Sequence, residues 1–288
     1  TLNYPNYEVV VVNDGSTDTT GGMLGLRNWQ WMFIIEGLAA CVVGVIAFFY
    51  LTSRPRDATW LSAEERTALE NEIALEDCSK LAHGPSTALA ALKDAQVLRF
   101  VLIYFAIQVS VYGVIFYLPT RISELTGSAI GLEVGLLTAI PWFCALVALG
   151  FVTRYADASG KHRQLAGWML GLAATGILCS TLGNQLVPVL AAFCVATVGF
   201  VVVQPLFWSL PTAYLAGPAA ASGIALIGSI GNLGGFIAPT LKNAVETAFH
   251  SQRAGMFALA AAGFIGILLL LSIGAASRRA GALQLKAS

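Results

Sequence analysis

Seven stretches of this chain are long and apolar enough to cross a membrane: Trp29–Leu51, Val97–Leu118, Leu132–Val152, Leu165–Leu182, Leu186–Leu210, Ala219–Leu241 and Ala254–Ala275. A helix needs about 20 residues to traverse about 30 Å of hydrocarbon, where every backbone N–H and C=O must be satisfied within the segment. That requirement predicts an all-α membrane protein with about seven transmembrane helices. Composition agrees, because 57% of residues are hydrophobic, 11% are charged and the mean hydropathy is +0.73. A soluble domain of 288 residues has no interior large enough for that much apolar surface. The lipid bilayer is therefore the first expected partner. Nucleic acid is not expected, since net charge is zero and no basic cluster is interleaved with aromatics.

Polar residues stranded inside apolar helices are costly unless they pair with a neighbour or a ligand, so they are the candidate functional groups. Gln108 and Tyr112 are four residues apart, on one face of the second span. Gln204 and Trp208 share a face of the fifth, where Ser209 and Thr212 flank Pro211. The sixth carries Asn232, with Ser229 three residues before it, inside the glycine series Gly223, Gly228, Gly231, Gly234 and Gly235. Gly231 and Gly235 have the GxxxG spacing that brings helix backbones together. Pro211 and Pro218 are expected to break the helix between these two spans. A bland reading stands beside each candidate: Gln108 as a tie between helices, Trp208 as ring packing, and the small hydroxyls as partners of their own backbone.

Glu36 is the one acid well inside a span, where ionisation is expensive and a partner or a proton is expected. Cys41, Cys78, Cys144, Cys179 and Cys194 lie far apart, and His83, His162 and His250 have no carboxylate or cysteine neighbours at metal-ligand spacing. No nucleophile elbow, phosphate loop or dinucleotide fingerprint occurs. No catalytic residue, metal or cofactor is therefore expected.

The basic residues sort by loop. Arg54, Arg56, Arg66, Lys80 and Lys93 follow the first span, Arg154, Lys161 and Arg163 the third, and Arg278, Arg279 and Lys286 the last. These loops are expected to be cytoplasmic, as is the C terminus, while the alternate loops hold only Arg121, Lys242 and Arg253. Within residues 52–96, Ser62 and Glu65 form a capping box opening an amphipathic surface helix, which the LAHGPS run ends. A short helix over Ser86–Asp94 follows. Before all of this, the β-branched run Val9–Val12 and the turn residues Asn13–Ser16 read as a buried strand and its end.

From about Gly21 onward the chain resembles major facilitator superfamily transporters of the anion:cation symporter type, the tartrate, hexuronate, galactonate and phthalate permeases. NWQWMFIIEGL with RPRDATWLSAEER, VYGVIFYLP and FWSLPTAYLAGPAAASGIALIGSIGNLGGFIAP carry the resemblance. It implies helices 6 to 12 of a twelve-helix fold: helix 6 over residues 21–51, the central cytoplasmic loop over 52–96, the C-terminal half over 97–275 and a tail over 276–288. It further implies a bacterial inner-membrane protein that takes up a small organic anion with protons. Gln108, Tyr112, Gln204, Trp208, Ser209, Thr212, Ser229 and Asn232 would line the C-terminal wall of its cavity. The missing N-terminal half would supply the coupling acids, so the chain is expected to be incomplete for coupled transport. RYADASGKHR resembles the superfamily's loop signature, and by that match Asp157, Gly160, Lys161 and Arg163 would form a conformational latch. Residues 1–20 resemble instead the first nucleotide-binding strand of family 2 glycosyltransferases, in which Asp14 and Asp18 would contact a sugar nucleotide. The alternatives to a transporter segment are thus a membrane glycosyltransferase or an inert chimera, although no later DxD or QxxRW motif follows.

Overall fold

The computed structural model describes residues 28–52, 54–129 and 131–287, with side chains from residue 30 to 273 apart from 32, 77, 79 and 81–83. The strand expected at Val9–Val12, with Asp14 and Asp18, lies outside the described residues. The chain divides after Ile73 into two compact units. Among the described residues nine α-helices form and no strand does.

The first unit holds α1 (Asn28–Tyr50), a 3-10 turn at Pro55–Asp57 and the start of α2 (Ala63–His83). Phe33, Val43 and Phe48 of α1 are exposed, as is Glu36, and the whole helix is apolar enough to face lipid or protein. The first turn of α2 leaves N–H groups without helical acceptors, and the capping box supplies them. Ser62 N–H donates to Glu65 Oε2 at 2.9 Å, while Glu65 N–H donates to Ser62 Oγ at 3.2 Å. The Ser62 backbone N–H, and then its hydroxyl, hold the exposed Glu65 carboxyl below its usual pKa.

The second unit holds the end of α2, then α3 (Ala88–Lys93), α4 (Ala95–Thr126), α5 (Leu132–Ser159), α6 (His162–Ser180), α7 (Leu186–Tyr214), α8 (Gly217–Phe249) and α9 (Gln252–Ala287). Asp94 starts α4, its carboxylate accepting from the N–H groups of Gln96 and Val97 at 2.9 and 3.0 Å. The same side chain accepts from the Tyr214 hydroxyl at 3.3 Å, which ties the end of α7 to the start of α4. Helix α4 lies against α8, α9, α7 and α5, and Phe100, Ile103, Ile107 and Leu118 along it are buried. Helix α6 packs most extensively on α7, burying Leu170 and Ile177 with Phe193 and Phe200.

Most helices overrun their apolar runs. Helix α4 has 32 residues, or roughly 48 Å at 1.5 Å each, so its polar last turns extend past the hydrocarbon. Among the described residues six helices are long and apolar enough to span a membrane: α1, α4, α5, α7, α8 and α9. The expected fourth span, Leu165–Leu182, is the exception. Helix α6 has 19 residues and begins on His162, Arg163 and Gln164, while Thr181 and Leu182 fall beyond its end, so no sufficiently apolar window remains.

The expected break at Pro211 also moves. Helix α7 runs through Pro205 and Pro211 to Tyr214, and Leu215 N–H donates to Pro211 O at 2.9 Å. The chain turns instead at Leu215 and Ala216, both extended, and at Gly217, whose φ of +54° favours glycine. Pro218 then sits in the first turn of α8, where its missing N–H costs nothing.

Candidate functional site

Tyr104, Gln108 and Tyr112 recur every four residues along α4 and form one stripe. Helix α8 meets this stripe with its glycines. A Cβ at Gly231 would collide with the Tyr104 ring, one at Gly234 with the carbonyl oxygen of Phe105, and one at Gly235 would lie 2.6 Å from Tyr112 Cδ2. The missing side chains let the two backbones close in, and that approach brings Asn232 within reach of Gln108.

Three amides from three helices consequently join. Gln204 Nε2 on α7 donates to Gln108 Oε1 at 2.8 Å, and Gln108 Nε2 donates to Asn232 Oδ1 on α8 at 2.6 Å. Gln108 is 4% exposed, Gln204 is half-buried and Asn232 is exposed. Both links run in the same sense, so each amide polarises the next. What remains is an acceptor, Gln204 Oε1, at one end and the donor Nδ2 of Asn232 at the other. Neither has a partner among the described residues.

An aromatic wall adjoins the amides. Tyr104 stacks on Phe207 with centroids 5.3 Å apart and an interplanar angle of 12°, and the half-buried Trp208 meets Tyr104 edge-on at 4.9 Å. Tyr112 is half-buried and packs towards Phe116 at 6.2 Å. The hydroxyls behave differently. Ser209 donates to Leu206 O at 2.8 Å and Thr212 to Trp208 O at 2.9 Å, so both protons serve their own helix. Ser229 is exposed and makes no hydrogen bond among the described residues. The structure therefore brings Gln108, Gln204 and Asn232 together directly, and places Tyr112 and Trp208 beside them. It gives Ser209 and Thr212 local partners. Among the described residues no cluster of histidine, cysteine, aspartate or glutamate could hold a metal.

The loop joining α5 to α6 gathers the other set. Gly160 closes α5 at φ +64°, its N–H bonding Ala156 O at 2.9 Å. Asp157 Oδ1 lies 2.9 Å from His162 Nε2, a pair that the sequence reading missed by testing the histidines only against metal spacing. Lys161 is exposed and Arg163 half-buried, and neither forms an ion pair among the described residues. Asp157 is three-quarters exposed, so its pairing with His162 adds little stability.

Comparison with known proteins gives this geometry a context. The model of the Major Facilitator Superfamily matches residues 19–239. It begins after Asp14 and Asp18, so the glycosyltransferase resemblance of residues 1–20 draws no support from it. The inner membrane transport protein RhmT of Escherichia coli K12 is 43% identical over 254 residues, covering 88% of this chain and 58% of that protein. A putative tartrate transporter of Agrobacterium vitis is 36% identical over 251 residues, covering 87% of this chain and 56% of its own length. A quinolone resistance transporter of Acinetobacter baumannii is 31% identical, with 86% and 57% covered. The chain thus spans less than two thirds of the length of these relatives. With its membrane-length helices it is a multi-pass membrane protein, and it belongs to the Major Facilitator Superfamily, a family of transporters and not of enzymes.

Proposed function

We propose that this chain forms one wall of the substrate cavity in a secondary transporter that takes up a small organic anion, such as tartrate or a sugar acid, together with protons. The carrying observation is the amide chain. Gln108, buried between α7 and α8, holds Gln204 and Asn232 so that a free acceptor and a free donor flank the Tyr104, Phe207 and Trp208 rings. A hydroxy acid is complementary to such a wall. Its hydroxyl donates to Gln204 Oε1, its oxygens accept from Asn232 Nδ2, and its carbon skeleton covers the rings. Relatives named as tartrate transporters share this region.

All three amides are uncharged. The cation that balances a carboxylate and the acid that carries a proton must therefore come from elsewhere, and we place both in an N-terminal half that completes the fold. Alternating access then rocks the two halves about the site. Asp157, Gly160, Lys161 and Arg163 would act at the α5–α6 loop as the latch between states, with His162 as an additional partner of Asp157.

Proteoliposomes test the reading. The chain alone is expected to show no gradient-driven tartrate uptake, whereas co-expression with the N-terminal portion of the Escherichia coli relative is expected to produce it. Asn232→Leu should abolish that uptake while leaving the protein folded. Undiminished uptake in this variant would remove Asn232 from the site.

A further inference from the structure

Where α4 ends and α9 begins, a cavity of about 290 Å³ opens beside the turn that joins α6 to α7. No carboxylate among the described residues lines it. Arg121 from α4, Thr181 and Asn184 from the turn, and Ser251 and Arg253 from the start of α9 do, with Tyr117 on one side. These residues are brought together from three places in the sequence.

The Arg121 guanidinium is held rigidly. It is 15% exposed and donates to Glu124 Oε2 at 3.0 Å, to Gly183 O at 3.2 Å and to Asn184 Oδ1 at 3.0 Å. Its Nε–H is buried without an acceptor among the described residues, so the group still has donor capacity to give. Glu124, its counter-ion, is far more exposed and compensates it only in part. Arg253 is exposed and forms no ion pair among the described residues. The backbone adds to this, because the first turn of α9 has N–H groups without helical acceptors and the positive end of the helix dipole. Across the Tyr117 ring, Lys242 Nζ sits 5.0 Å from the centroid, paired with Glu246 at 2.8 Å. Arg121, Lys242 and Arg253 are the three basic residues of the loops that charge bias assigns to the outer side, and all three converge on Tyr117.

We propose that this cavity is a second anion site, which binds a carboxylate of the organic substrate at the mouth of the bundle before it reaches the amides around Gln108. The substrate class rests on the transporter reading, whereas the site itself rests on its own donors. It supplies what the amide chain lacks, since a cationic cavity captures and orients an anion that the uncharged amides then distinguish by its hydroxyls.

The test is tartrate binding to the full chain in nanodiscs of zwitterionic lipid, by equilibrium dialysis at low salt. Arg253→Gln is the principal variant, because Arg121 also holds the α6–α7 turn and its loss disturbs folding. Arg253→Gln should weaken binding about tenfold, Arg253→Lys should retain most of it, and raised salt should weaken the wild type more than the glutamine variant. Asn232→Leu, assayed in parallel, separates the two sites. Loss of binding in Arg253→Gln with retention in Asn232→Leu supports the mouth site and counts against the amide site. The reverse pattern keeps the amide site and overturns this proposal. Wild-type chain that binds no tartrate, or loses it all when phosphatidylglycerol replaces part of the lipid, also overturns it, the second result assigning the cavity to a lipid headgroup.

Discussion

Two helix pairs in this bundle are built on glycine, and they are built differently. In α6–α7, small residues face small residues. A Cβ on Gly176 would lie 2.5 Å from the Ala196 nitrogen, and one on Gly199 would lie 2.8 Å from Ala173 Cα. Backbone meets backbone, and no space is left between them. In α4–α8, Gly234 meets the Phe105 backbone, but Gly231 and Gly235 on either side of it face the rings of Tyr104 and Tyr112. The first arrangement fixes a distance, whereas the second uses closeness to hold aromatic rings and to bring the amides of Gln108 and Asn232 into contact. Close packing of helices is common to both, and the chemistry sits only where one partner is large.

The largest effect should come from attacking the small-against-small pair. Gly199→Leu has no side chain to displace, only the Ala173 backbone and Met169 O, and should cost about 3 kcal/mol or more, read as loss of monodisperse helical protein in detergent. Gln108→Leu should separate stability from function at the other pair. Gln204 and Asn232 can rehydrate, so we expect about 1 kcal/mol in stability, but a tenfold or greater loss of tartrate binding at the amide site. Gly235→Ala meets the Tyr112 ring, which can rotate away, and should lower the thermal midpoint by the equivalent of about 1 kcal/mol. Thr212→Val should change binding by less than twofold, since the hydroxyl already serves the backbone of its own helix.

The smallest effect lies at Glu65, outside both pairs. Its folded pKa is lowered, so the capping contribution is complete above the unfolded value near 4.5 and is lost as pH falls through the folded value below it. The Ser62 amide resonance should report that loss, and Glu65→Gln, which can cap without ionising, should abolish the pH dependence.

Local features were legible in the sequence because their partners are near. The Ser62 and Glu65 cap, the α3 helix and the close approach at Gly231 and Gly235 all follow from spacings of a few residues. The amide chain was legible only as separate candidates, since Gln108 lies 96 residues from Gln204 and 124 from Asn232, and no spacing rule spans that distance. Pro211 misled for a physical reason. A proline removes one N–H but leaves its own carbonyl, and Leu215 accepts the helix one turn further by donating to it. Arg121, Lys242 and Arg253 were visible as the sparse cations of alternate loops, yet their convergence on Tyr117 depends on how the helix ends pack.

The weak apolarity of α6 has a consequence for how the chain enters the bilayer. A 19-residue helix opening on His162, Arg163 and Gln164 has little tendency to leave the translocon by itself. Helix α7, strongly apolar and joined to it by a short turn at residues 181–185, offers the Gly176–Ala196 and Gly199–Ala173 contacts as soon as it emerges. Insertion of α6 is then expected to be favoured by pairing with α7 as a hairpin.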